Sequence, residues 1–213
     1  MKLNILLLLT LSLTNGTKSL KFEVFSQNEK IGEAVWHFQD VAAQGVRVYK
    51  FLSKTVVDSV FCIFDKKGMP FRVRRHQVVA ILAREPLSSL SQASYFDDSV
   101  VVNLMGGVRA VFRDTLPLID FDMLPFVIPK LLRPKTGDSL RFIMVFPMAG
   151  RTERCVAKVG KGEIVQFAGR TIKTYRIEIA RDKRKPIELW IGEDGYPVRY
   201  YDRNAEFQFF RKF

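Results

Sequence analysis

The chain has 213 residues, enough for one domain or two small ones, and 34 Lys and Arg against 22 Asp and Glu give a formal net charge of +12. Apolar residues make up 47% and charged residues 26%, which excludes disorder as the main state, because so much buried apolar surface offsets the loss of chain entropy. Two His and two Cys exclude a zinc-finger array and leave little material for Cys–His chemistry.

Met1-Lys2 is a short basic start, and Leu3 to Leu13 is an apolar run broken by Asn4, Thr10 and Ser12. Thr14-Asn15-Gly16 or Thr17-Lys18-Ser19 then offers small residues for cleavage. This is the layout of a secretory signal peptide over residues 1–19, cut near 16–19. The run is too short for the ~20 residues of a spanning helix, so no transmembrane segment is expected after cleavage. The expected product is exported, periplasmic or extracellular, with residues 20–213 as a single β domain. Losing Lys2 and Lys18 leaves it strongly basic. Outside the cytoplasm that charge points away from nucleic acid and toward an anionic envelope lipid or polymer, beside a protein partner in the envelope. A solvated basic surface is the plain alternative.

The rest of the chain reads as strands almost throughout. The first set is Leu20–Ser26, Lys30–Phe38, Val46–Lys54, Val57–Asp65, Phe71–Ala80, Ser99–Leu104 and Val108–Arg113. The second is Ser139–Phe146, Glu153–Val159, Glu163–Phe167, Arg170–Ala180, Ile187–Ile191, Val198–Asp202 and Glu206–Arg211. They are short, rich in Val, Ile, Phe and Tyr, and cut by turn residues. Short connections favour antiparallel neighbours. Leu140, Phe142, Met144 and Phe146 alternate with Ile143 and Val145, so that strand is apolar on both faces. The fold class expected is all-β with one short helix: an antiparallel, strongly curved sheet or half-open barrel covered by a broken apolar helix.

That helix belongs to Leu116–Pro134, which holds four of the nine prolines. Phe121, Met123, Leu124, Phe126, Val127, Ile128, Leu131 and Leu132 lie among them. Asp122 can cap it, Pro125 fits its first turn and Pro129 kinks or ends it. The segment is read either as a plug for the sheet's core or as a lid that touches lipid.

Ile63 to Arg72 and Trp190 to Arg199 echo each other: an apolar strand, a polar turn, Gly-x-Pro, an apolar residue and an Arg. They read as related hairpins in the two halves of one sheet, with Tyr49 and Tyr175 matching upstream if one gap is allowed; convergent turn chemistry is the alternative.

Chemistry is sparse. There is no nucleophile elbow and no phosphate-cradling Gly-Lys loop. His37 and His76 have no catalytic or metal-ligand neighbours in sequence. Asp120 and Asp122 are the tightest acidic pair, and capping explains them. Neither a catalytic residue nor a metal nor a cofactor is expected. Arg72 and Arg74 share a strand face with His76, and Arg151 and Arg154 flank a turn. Forked Arg groups in such places suit anionic groups. Arg181 to Lys185 reads as a solvated basic hairpin tip. Cys62 and Cys155 are the only candidates for a disulfide; two buried thiols are the other reading.

The hairpin echo, the helix between the halves and the closing Glu188-Leu189-Trp190-Ile191 to Gly195-Tyr196-Pro197-Val198-Arg199 stretch resemble an exported bacterial domain family of unknown function. The architecture is more loosely similar to the LolA/LolB-like lipoprotein carriers, curved sheets with helix over a greasy mouth. The apolar interior, the Leu116–Pro134 segment and the basic strand faces lead to the reading of a non-catalytic envelope protein that binds a lipid or other hydrophobic ligand inside the sheet. The alternatives are a structural or interaction module of the envelope without a small ligand, and an enzyme acting on envelope polysaccharide.

Overall fold

Runs of β-branched and aromatic residues pair with their neighbours in the chain, and the result is one long meander. The computed structural model describes residues 17–41, 44–53, 56–65, 69–79, 87–104, 107, 109–132 and 135–213. Residues 1–16, where a signal peptide is expected, Pro134 and the side chains of His37 and Tyr49 lie outside the described residues.

The first half carries β1 (Thr17–Ser26), β2 (Glu29–Val41), β3 (Gln44–Ser53), β4 (Val56–Phe64), β5 (Pro70–Val79), β6 (Leu87–Tyr95), β7 (Ser99–Leu104) and β8 (Arg109–Arg113). A short β9 (Leu118–Asp120), a 3₁₀ turn (Phe121–Met123) and α1 (Leu124–Leu131) follow. The second half is β10 (Ser139–Phe146), β11 (Arg151–Phe167), β12 (Arg170–Arg181), β13 (Arg184–Gly192), β14 (Pro197–Asp202) and β15 (Phe207–Lys212). The strands form one sheet in the order β8-β7-β6-β5-β4-β3-β2-β1-β15-β14-β13-β12-β11-β10-β9. Every ladder is antiparallel except β9–β10. The sheet curves strongly without closing into a barrel: β8 and β9 end it and do not pair with each other. The curve brings β9 against β5, and the 3₁₀ turn Pro147–Ala149, which follows β10, against β6 and β7.

The all-β class with one short helix is as the sequence implies. Three details differ. Glu153–Val159 and Glu163–Phe167 are one strand, β11, with a register shift between Val159 and Gly162 in place of a break. A Cβ on Gly160 would stand 3.3 Å from the carbonyl oxygen of Arg176, so the chain passes close there. β6 was not foreseen, because Leu87–Tyr95 is mostly Ser, Gln and Ala. The Leu116–Pro134 segment is not wholly helical, since it contains β9.

The hairpin echo is physical. In β4–β5 Ile63 faces Arg72, Phe64 faces Pro70, and the register shifts between Ile63 and Phe64. In β13–β14 Trp190 faces Arg199, Ile191 faces Pro197, and the register shifts between Trp190 and Ile191. Each pair therefore carries its bulge at the matching residue, Phe71 or Val198. The Tyr49–Tyr175 match fails by the same measure. Tyr49 faces Val60, whereas Tyr175 faces Ile191, the counterpart of Phe64.

Candidate functional site

The concave face is built by inward residues of the central strands. Phe22 on β1 packs on Trp36 of β2 with ring centroids 3.9 Å apart, and Phe209 of β15 meets Trp36 edge-on at 5.5 Å. α1 lies over this aromatic set, and Phe126 stands edge-on to Trp36 at 4.6 Å. Met123, Leu124, Val127 and Ile128 are at most 1% exposed, and Phe126 and Leu132 are also buried. Phe121 is half-buried and stacks on Phe146 at 5.0 Å. Leu131 is the exception, 36% exposed beside Lys130 at the helix end. α1 thus occupies the interior of the curved sheet. Burying one side chain of the size of Phe126 is worth about 3–5 kcal/mol against Ala. Pro125 sits in the first turn, and Pro129 lies inside the helix, which ends at Leu131. Asp122 does not cap α1. Asp120 caps the preceding 3₁₀ turn, its Oδ1 accepting the Asp122 N–H at 2.9 Å.

A buried polar seam ties this plug to the other end of the sheet. The Tyr95 hydroxyl on β6 donates to Asp120 Oδ2 on β9 at 2.7 Å. Arg75 on β5 donates through Nε to both carboxylate oxygens of Asp58 on β4, at 3.0 and 3.1 Å. A further bond runs from its Nη2 to Asp58, and Nη1 reaches Asp122 at 3.3 Å. Asp120 is fully buried. Burial first, and then the charge of Asp122, pushes its carboxyl up to about 7, against the hydrogen bonds from Tyr95 and the Asp122 amide and the attraction of Arg75. Burial also raises Asp122, with Arg75 opposing and Asp58 assisting.

Sequence reading missed Arg75 and Asp58, although a signal exists. Phe71, Val73 and Arg75 alternate on one strand, and Asp58, Val60, Cys62 and Phe64 on its neighbour. Opposite charges on the apolar faces of consecutive strands imply a buried ion pair.

The four arginines expected to meet anionic groups do not converge. Arg72 and Arg74 are exposed on β5, with the Arg72 guanidinium 5.8 Å from the exposed Phe71 ring. Arg151 is engaged, its guanidinium 3.9 Å from the Phe146 ring centroid and hydrogen-bonded to Glu153. Arg154 is exposed and reaches Asp114 at 3.8 Å. Nor is the 181–185 hairpin simply a solvated basic tip. Arg181 is buried and binds Glu153 at 2.8 Å and Asp202 at 3.3 Å, and Arg184 binds Glu153 at 2.9 Å. Burial alone would raise the Glu153 carboxyl; hydrogen bonds from Arg151 and Arg181 outweigh it and hold it below the usual range.

Cys62 and Cys155 are buried thiols and form no disulfide, which is the second of the two readings above. They belong to β4 and β11, far apart in the strand order, and each Sγ lies near a backbone carbonyl, that of Ile63 and of Glu153. Burial pushes the Cys155 thiol up to about 12, with the Glu153 charge adding to it, which keeps it protonated. His76 is exposed at the sheet surface, its Nε2 2.9 Å from the Ser88 hydroxyl. Among the described residues no group of three or more His, Cys, Asp or Glu could hold a metal ion. No helix among them is long and apolar enough to cross a membrane.

No family model matches the chain, and no curated protein matches it. A solved structure does. The β-barrel-like protein of domain of unknown function DUF1849 from Brucella abortus superposes with a TM-score of 0.62 at 13% identity, over 91% of this chain and 94% of that one. At that identity the likeness establishes the fold alone. It agrees with the sequence resemblance to a bacterial domain family of unknown function. The hypothetical lipoprotein YmcC from Escherichia coli aligns over 91% of this chain and 86% of its own at 10% identity, with a TM-score of 0.40, too loose to bear on the argument.

Proposed function

We propose that the chain is an exported, non-catalytic protein of the cell envelope whose curved sheet receives a hydrophobic ligand, such as a lipid acyl chain, in the place α1 fills. One observation carries this reading. An aromatic concave face, Phe22, Trp36 and Phe209, is covered by a single eight-residue helix interrupted by proline. The helix brings no side-chain cap of its own, and the polar seam just before it is its tie to β5 and β6. The apolar side chains of this plug hold a place that an acyl chain of similar polarity can take. The carrier-like resemblance of the sequence fits this use, and the basic exterior fits an anionic envelope. The carboxylates of the seam are engaged with Tyr95 and Arg75, which leaves them poorly placed for acid–base work on a polysaccharide.

Trp36 gives the test. In a Trp190→Phe background it is the remaining tryptophan. A brominated fatty acid or lysolipid quenches Trp36 fluorescence if its chain enters the interior, and Phe126→Ala strengthens the quenching by loosening the plug. Trp36 fluorescence unchanged in both proteins rejects the interior ligand. A second reading, an interaction module without a small ligand, draws on the same helix, since α1 leaves the core filled as it stands.

A further inference from the structure

We propose that the open edge of β12 is a docking site for a short extended peptide that carries acidic side chains. The proposal is independent of the lipid reading. β11 and β12 run on past the end of β13. β13 meets β12 from the Thr174–Gly192 pair onward, while β11 goes on pairing residues 170–173 of β12, from Ile164 opposite Lys173 to Phe167 opposite Arg170. Among the described residues, 170–173 therefore have a ladder on one side only. The backbone N–H and C=O groups on the other side of such an edge can take an added strand.

A cleft of about 370 Å³ lies against this edge. Thr171, Ile172 and Lys173 form one wall; Glu193, Arg211 and Phe213 belong to the other. The volume is at the low end for ligand sites. A four-residue edge offers roughly 13 Å of strand. Backbone pairing along one wall selects an extended chain, and Ile172 and Phe213 offer apolar contact to its alternate side chains.

Charge selects the peptide. Lys173 stands exposed on the Thr171 face of the open segment, and Arg170 stands exposed on the Ile172 face with its guanidinium 5.8 Å from the Phe213 ring. An added strand whose apolar side chains meet Ile172 therefore turns its alternate, acidic side chains toward Lys173, and no acid lies between residues 170 and 173. The guanidinium of Arg211 binds Asp194 at 2.8 Å, and Asp194 also accepts the Tyr196 amide at 3.1 Å, so that carboxylate is already engaged. Glu193, in the β13–β14 turn, is the acid that opposes the incoming charge. A second copy is a poor occupant. Two 170–173 segments paired antiparallel would set Arg170 against Lys173, like charges directly opposite.

The test is a titration of the ¹⁵N-labelled protein with acetyl-Val-Asp-Val-Glu-Val-amide, read as amide shifts. The expected result is saturable shifts centred on residues 170–173 with a Kd of about 1 mM or tighter. Binding should weaken at least tenfold in Lys173→Glu, an exposed substitution whose folding the same spectrum verifies. It should weaken at least as much when the central backbone amides of the peptide are N-methylated, or when its acids are replaced by lysine. Absence of saturable shifts, or shifts centred elsewhere, overturns the proposal. Equal binding of the methylated peptide overturns strand addition, and equal binding of the lysine peptide overturns the charge selection.

Discussion

Asp120 shows how one residue can serve the fold and strain it at once. Its backbone belongs to β9, its Oδ1 caps the turn before α1, and its Oδ2 accepts from Tyr95. Its carboxyl titrates near 7 in the folded chain, well above the ordinary aspartate value of 3.8. Between those two values the folded state holds a proton that the unfolded chain has released. Stability therefore falls as pH rises from about 4 to about 7, and the loss is complete above 7. Arg75, Tyr95 and Asp122 face this carboxyl, and Asp58 acts in turn on Asp122, which titrates alongside it. Asp120→Asn should flatten that part of the profile and make the protein more stable at pH 8, by about 1–3 kcal/mol. Chemical denaturation of both proteins at pH 5 and pH 8 checks it. A variant that loses as much stability between the two pH values as the parent would show that Asp120 is not the responsible group.

At the scale of elements, what the sequence reveals depends on what each strand packs against. Strands that bury large residues announce themselves: Ile177 and Ile179 on β12 and Ile187, Leu189 and Ile191 on β13 alternate cleanly and are fully buried. β6 does not, because its inward residues include Ser91 and Ala93. The turn Pro147–Ala149 packs against β6, and small residues leave it room. Of the seam, the Arg75–Asp58 pair leaves a trace on two consecutive strands, but its meeting with Asp122 and with the Tyr95–Asp120 bond joins β5, β6, β9 and the turn before α1, which no sequence spacing encodes. β1 bears on the expected cut. Thr17, Lys18 and Ser19 pair with Gln39, Phe38 and His37 on β2. A cut after any of these three removes residues paired with β2, and a cut after Gly16 does not. On the export reading the mature chain should therefore keep Thr17, which intact-mass measurement reads directly; a start at Leu20 would remove three paired residues and refute the expectation.

Across the whole molecule, nearly all ladders join strands that are consecutive in the chain, including the parallel β9–β10 pair that flanks α1. The exception is β1–β15, in which Lys21 faces Lys212 and Ser26 faces Phe207. The meander β1–β8 and the meander β10–β15 can each form by local closure, which is fast; the β1–β15 ladder must wait for both. That ladder turns two half-sheets into one continuous surface. It also makes the chain a ring in all but covalent bond. A linker from Lys212 to Thr17, with new ends cut in the β10–β11 or β12–β13 connection, would leave every ladder in place while moving the slow joint from the middle of the sheet to a hairpin of choice. Where the chain starts is then a matter of folding order, and the shape it reaches is the same.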